Sequence, residues 1–198
     1  VGDVMADVAL KMGPIAERRS RIITQLGLEP RGYLLATAPR AENVDDPSRL
    51  RRLVSLLEAA AAHQPVILPV HPRTATRLEA EGLDQTLDRH GVRRISPLGY
   101  LDLTALLRGA SAALTDSGGL QKECYLAGVP CLTLRPTTEW VETVERGWNR
   151  IVDLDTAAAI KGLDELAPLR DGPAPDAAIY GGGTAGAMVV EEILAWPT

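Results

Sequence analysis

The strongest constraint in this chain is a rhythm: short apolar runs, each followed by a polar loop and then by a segment of helical period. Residues 33–37 (Y-L-L-A-T), 66–70 (V-I-L-P-V), 92–96, the opening of 113–123 and 130–134 have the length and apolar content of buried parallel strands. Asp46-Pro47 sets an N-cap and a first-turn proline ahead of Leu50, Leu53, Val54, Leu57 and Ala61, which recur at three and four residues as one helix face does. Leu78, Leu83 and Leu87 mark a helix expected over residues 74–90, and a shorter one is expected over 101–109, capped by Asp102 or a neighbour. Strands alternating with helices at this spacing predict an α/β domain with a parallel sheet covered on both faces.

The flanks are less regular. Residues 1–12 read as a lead-in segment or short helix that Gly13-Pro14 interrupts, and 15–26 as a surface helix stopped by Gly27. A loop is expected over 38–46, a last strand over 151–154, an alanine-rich helix over 156–166, a loop over 170–176 and a final helix over 185–196 with Met188, Val189 and Ile193 apolar. The chain starts at Val1 and reads as part of something longer.

The 198 residues suit one domain, 1–198. With 21 Lys+Arg against 26 Asp+Glu, and 4% aromatics without Phe, there is neither a basic surplus nor a set of stacking platforms, so nucleic acid is not an expected partner. No apolar run reaches the ~18 residues of a membrane helix. Cys124 and Cys131 lack zinc-site spacing; their apolar surroundings favour buried free thiols, no metal, and a cytoplasmic setting.

Ligands of an open parallel sheet bind outside the carboxyl ends of its strands. There the chain places 39–43 (P-R-A-E-N), 71–74 (H-P-R-T), Gly99-Tyr100, 116–119 (D-S-G-G) and Arg135. The D-S-G-G turn runs from strand into helix, which aims backbone N–H groups and the positive end of the helix dipole at an anion, phosphate above all. Ser117 adds a hydroxyl, Gly118 and Gly119 permit close approach, Arg135 offers a forked partner for phosphate, and Glu123 an acceptor for sugar hydroxyls. Plainer readings stand beside these. D-S-G-G fits neither the Walker nor the G-x-G-x-x-G pattern, His71 suits an ordinary loop ring as well as a catalytic one, Arg135 suits a surface ion pair, and Glu123 a solvated helix position. Their shared rim favours the joint reading.

Six ordered runs carry a resemblance: T-x-P-R-A-E-N (37–43), P-V-H-P-R-T (69–74), P-L-G-Y-L-D-L (97–103), L-T-D-S-G-G-L-Q-K-E (114–123), G-V-P-C-L-T-L-R-x-T-T-E-W (128–140) and V-E-x-G-W-N (144–149). Together with the opening V-G-D-V-M-A-D and the Y-G-G-G segment near the end, they resemble the C-terminal half of a non-hydrolysing UDP-N-acetylglucosamine 2-epimerase over essentially the whole chain. The resemblance implies a Rossmann-like domain, one half of a GT-B-like fold, with the N-terminal domain absent. It implies UDP or a UDP-N-acetylhexosamine as partner, no cofactor, and a place in cell-envelope polysaccharide synthesis. By residue, it implies that Ser117, Gly118 and Gly119 hold the diphosphate with Arg135, that Glu123 binds the ribose, that the backbone of Leu98, Gly99 and Tyr100 accepts uracil, and that Arg40, Glu42 and His71 face the substrate.

The implied chemistry is elimination of UDP across C1 and C2 of the sugar and its re-addition, with proton removal and return at C2. Carboxylates for that work come mainly from the other domain, so the catalytic residues of this chain are unassigned. Where the family has H-R-x-E-N, this chain has Pro39, which cannot carry a proton; its Y-G-D-G is Tyr180-Gly181-Gly182-Gly183. An isolated chain without epimerase activity is therefore expected. A GT-B glycosyltransferase and a non-catalytic nucleotide-sugar binder are the rivals, and a homodimer covering the last helix is an open expectation.

Overall fold

The structure, a computed structural model, describes residues 1–196. Helices α1 (Val4–Arg19) and α2 (Ile22–Gln25) precede β1 (Leu34–Thr37), and α3 (Ala41–Val44) and α4 (Pro47–His63) lead to β2 (Val66–Pro69). Helices α5 (Pro72–Ala80) and α6 (Asp84–Arg89) reach β3 (Val92–Ile95), α7 (Tyr100–Gly109) reaches β4 (Ala112–Thr115), and α8 (Gly118–Ala127) reaches β5 (Cys131–Thr133). After α9 (Val141–Glu145), β6 (Asn149–Ile151) and α10 (Thr156–Leu166), two short 3-10 turns precede α11 (Ala185–Ala195).

All six strands are parallel, in the order β3-β2-β1-β4-β5-β6. The chain winds outward from β1 in one direction and from β4 in the other, which leaves a crevice between their carboxyl ends. Alternation sorts the strand side chains: Leu34, Ala36, Val66, Leu68, Leu114 and Leu132 meet α4, α5, α6 and α10, while Leu35, Ile67, Ala113 and Cys131 meet α1, α2, α7 and α8. Helices thus cover both faces, as the rhythm of the sequence predicts. Cys124 and Cys131 are buried free thiols in the second layer.

Several boundaries differ from expectation, each for a local reason. Gly13-Pro14 does not interrupt the chain; α1 runs through it, capped by Asp3, whose carboxylate accepts from the Met5 amide at 2.7 Å. Its buried face is small, Ala6, Gly13 and Ala16, and a Cβ on Gly13 would lie 3.0 Å from the Arg108 guanidinium, so close packing on α7 outweighs the poor helix propensity of this pair. The helix expected over 15–26 divides instead at Ser20, whose hydroxyl donates to Asp102 at 2.6 Å. Asp102 is thereby engaged, and α7 has Gly99 as its N-cap, without a side-chain cap bond.

The helix expected over 74–90 starts earlier and breaks. His71 is the N-cap of α5 and Pro72 its first residue, the same device as Asp46-Pro47. Gly82, at φ +65, ends it: the Leu83 amide donates to the Leu78 carbonyl at 2.9 Å, a left-handed cap with the two leucines together. The expected 38–46 loop holds the single turn α3, the last strand is 149–151 rather than 151–154, and the 3-10 turn Ala167–Asp171 takes the start of the expected 170–176 loop. Among the described residues no helix is long and apolar enough to cross a membrane.

Candidate functional site

At the β1/β4 crevice lies a cleft of about 300 Å³ lined by Thr37, Ala38, Pro39, His71, Leu98, Tyr100, Ser117, Gly119, Leu120 and Glu123, among others. It sits where strand order reverses, the place at which open α/β sheets take their ligands. Four loops converge there because β1, β2, β3 and β4 all end on the same side.

A buried polar network fixes those loops. The Asn43 amide donates to the Asp116 carboxylate at 2.9 Å and to the Leu134 carbonyl at 2.8 Å, and its oxygen accepts from Arg49, which also pairs with Asp153 at 2.5 Å. One side chain thus ties the turns after β1, β4 and β5. Asp116 is fully buried, and burial pushes its carboxyl up to about 6 against the hydrogen bond from Asn43 and the nearby Arg40 and Arg135. Thr37 and Thr115, paired in register, share a 2.6 Å hydroxyl contact, and Thr115 accepts from the Ser117 amide at 3.0 Å.

Ser117 is the N-cap of α8 but makes no side-chain cap bond, so its hydroxyl is not spent on the helix. The next amides, of Gly118, Gly119 and Leu120, are the donors that an α-helix leaves without partners at its start. Gly119 is exposed beside them, whereas Gly118 is buried. Further along α8, burial raises the Glu123 carboxyl above its ordinary range, and burial followed by the charge of Glu123 raises the Tyr100 hydroxyl. Leu98 is half-buried and Gly99 exposed at the start of α7. The His71 Nδ1 accepts from the Arg73 amide at 3.2 Å, which leaves the proton of a neutral ring on Nε2.

Five of the expected residues, Arg40, Glu42, Gly99, Gly118 and Arg135, do not line this cleft. Arg40 and Arg135 both turn to Glu139, at 3.8 Å and 2.7 Å respectively, so the plain ion-pair reading of Arg135 describes what it does here. Glu42 is exposed on α3, outside the lining. Glu139 went unnoticed in the sequence although it stands four residues after Arg135; so did the bridging by Asn43, because its partners lie 73 and 91 positions away. Behind the cleft, Lys122 is buried, pairs with Asp3, and holds its ammonium 4.2 Å from the Trp140 ring.

Residues 1–194 match the family model described as UDP-N-acetylglucosamine 2-epimerase. The chain belongs to that family. Relatives include a UDP-N-acetylglucosamine 2-epimerase homolog of Methanococcus maripaludis, 39% identical over 85% of this chain and 47% of its own length. A UDP-2,3-diacetamido-2,3-dideoxy-D-glucuronate 2-epimerase of Pseudomonas aeruginosa is 41% identical over 96% of this chain and 51% of its own. The crystal structure of the Methanocaldococcus jannaschii UDP-GlcNAc 2-epimerase in complex with UDP-GlcNAc and UDP superposes with a TM-score of 0.86 at 34% identity, covering 99% of this chain and 54% of that one. The epimerase-family chain described here therefore spans about half the length of the curated relatives it matches. Its fold is also that of a GT-B-type sugar transferase half: a Burkholderia xenovorans trehalose-phosphate synthase superposes at a TM-score of 0.59 and 17% identity, a likeness of fold alone.

Proposed function

We propose that this chain is the UDP-binding half of an epimerase that interconverts UDP-GlcNAc and UDP-ManNAc by eliminating UDP across C1 and C2 of the sugar and adding it back. The observation that carries the reading is the cleft at the β1/β4 reversal, lined by the uncapped Ser117 at the free start of α8, by Glu123 further along the same helix and by Tyr100. The diphosphate belongs at Ser117, Gly118 and Gly119, where aligned amides offset the charge that grows on UDP as it leaves C1. Glu123 accepts from the ribose hydroxyls, the Leu98–Tyr100 backbone meets the uracil, and Arg40 and Arg135 serve the phosphates once released from Glu139. His71 faces the sugar with its Nε2 proton, and Glu42, exposed on α3 outside the cleft, takes no part in holding UDP.

Proton transfer at C2 is assigned to groups beyond this chain. Pro39 lines the cleft where the family places a histidine, so the chain by itself binds UDP and UDP-N-acetylhexosamines without epimerising them. The exposed apolar faces of α1 (Val4, Met5, Val8) and α11 (Met188, Ile193, Leu194) are proposed to pack against the first half of the longer protein. The sugar named for the Pseudomonas relative shares the UDP and the position of epimerisation and is the second candidate substrate.

Calorimetry with UDP tests the binding half of the proposal: heat that disappears or weakens at least tenfold in Arg135→Ala and Ser117→Ala supports it, and identical isotherms for all three proteins sink the site. Turnover of UDP-GlcNAc by the isolated chain, read by proton NMR at the anomeric position, would overturn the division of labour. Transfer of the sugar to an added acceptor would favour the glycosyltransferase rival.

A further inference from the structure

Glu139 is held where an anion belongs. A Cβ on Gly118, the first residue of α8, would come within 2.3 Å of Glu139 Oε1 and 3.5 Å of Trp140 Nε1, so this glycine makes room for that carboxylate at the helix start. Two guanidiniums from different loops converge on it, Arg135 at 2.7 Å and Arg40 at 3.8 Å. Its own backbone amide, and then these two arginines, hold its carboxyl below the ordinary carboxylate range. The segment around it is fastened to α8: Thr138 donates to Gln121 Oε1 at 2.5 Å, and Trp140 lies under Lys122. The Glu139 side chain is itself 44% exposed.

Resting on the UDP reading above, we propose that Glu139 is a specificity residue, an internal carboxylate that occupies the arginine side of the anion seat and sets a charge threshold for what replaces it. The two arginines carry two positive charges and Glu139 answers one. A nucleoside monophosphate that docks at Ser117 must either lie beside this carboxylate, at the cost of like-charge repulsion, or displace it while bridging both guanidiniums with a single phosphoryl group. A diphosphate reaches both: one phosphoryl group takes the α8 amides and the other draws Arg135 and Arg40 away, and Glu139 turns out to water. The carboxylate lowers the affinity of every anion and lowers that of small anions most, which leaves nucleoside diphosphates favoured over monophosphates and inorganic phosphate.

The test is titration calorimetry of the full chain with UDP, UMP and inorganic phosphate, for the parent protein, Glu139→Gln, and Glu145→Gln as a control outside the site. Loss of one opposing charge-assisted pair predicts that Glu139→Gln gains roughly tenfold in UMP affinity and much less for UDP, so that the UDP:UMP preference shrinks by about that factor. An unchanged preference, or weaker binding of both nucleotides, overturns the proposal while leaving the UDP reading intact. No heat with UDP from either protein overturns that reading and the proposal with it. A second measurement uses only the parent protein: in a sample labelled with 15N-arginine, UDP is expected to move the Arg135 Nε–H signal and an equal concentration of inorganic phosphate is not. An Arg135 signal unmoved by saturating UDP refutes the exchange.

Discussion

At the carboxyl end of the sheet a cleft of about 300 Å³ opens between Ser117, His71 and Tyr100; at the amino end another, of about 390 Å³, opens between Arg31, Gln64, Ser111 and Arg170. The second is larger and lined by more charge, yet several of its groups are spent on holding the fold together. Arg31 pairs with Asp171 at 2.6 Å, the Ser111 hydroxyl engages Gln64, and the Arg170 guanidinium donates to the carbonyls of Gly128 and Arg108, both at 2.7 Å. At the carboxyl end the reverse holds: the loops are tied from behind by Asn43, while the Ser117 hydroxyl and the first amides of α8 face forward without partners on the helix. Chemistry at a cleft depends on donors left over after folding, and volume is a poor guide to them.

The sharpest test of that contrast is Asn43→Ala. It strands the buried Asp116 carboxylate and the Leu134 carbonyl together, so about 3–5 kcal/mol of stability and measurable UDP binding are expected to go at once, read by denaturant unfolding and calorimetry. Next come two arginines that should behave oppositely. Arg170→Ala unpairs two carbonyls and is expected to lower the melting temperature by roughly 4–8 °C, about 2 kcal/mol, with UDP affinity unchanged. Arg135→Ala is expected to cost at least tenfold in UDP affinity and almost nothing in melting temperature, since its partner is a half-exposed carboxylate. If both variants lose stability and keep affinity, the two ends of the sheet are alike and the contrast fails.

A smaller effect is carried by pH. Asp116 titrates near 6 when folded against an ordinary value of 3.8, because it is buried. The folded state therefore holds a proton that the unfolded chain has released across that window, and this group's contribution is fully present below about 4 and lost as pH rises through about 6. Asp116→Asn is expected to flatten the slope of unfolding free energy between those values; an unaltered slope would show that Asp116 does not titrate there. Smallest of all, Glu42→Ala should leave both melting temperature and UDP affinity within error, as an exposed residue outside the cleft.

What the sequence revealed of all this follows the range of each interaction. Apolar runs and their alternation are local, so the strands, the two-sided cover and the rim were legible, as was the Asp46-Pro47 helix start. The equivalent start at His71-Pro72 carries the same signal in a less familiar residue and was read two positions late. The run of α1 through Gly13-Pro14 depends on how closely Arg108, far along the chain, approaches Gly13, and no local pattern encodes that. The site divides in the same way. The start of α8 is written in four consecutive residues, whereas the meeting of Arg40, Arg135 and Glu139 requires two loops to be folded first.

The placement of Trp140 has an optical consequence. The three tryptophans occupy distinct settings: Trp148 is buried, Trp196 is 78% exposed, and Trp140 lies between the Lys122 ammonium and the start of α8 with its indole N–H unpartnered. A nucleotide reaching Gly118 is expected to alter the electric field across the Trp140 ring, which lies beside that glycine. The protein thus carries its own fluorophore beside the proposed phosphate seat, and its emission, isolated by replacing Trp148 and Trp196 with phenylalanine, is expected to serve as a dye-free gauge of occupancy.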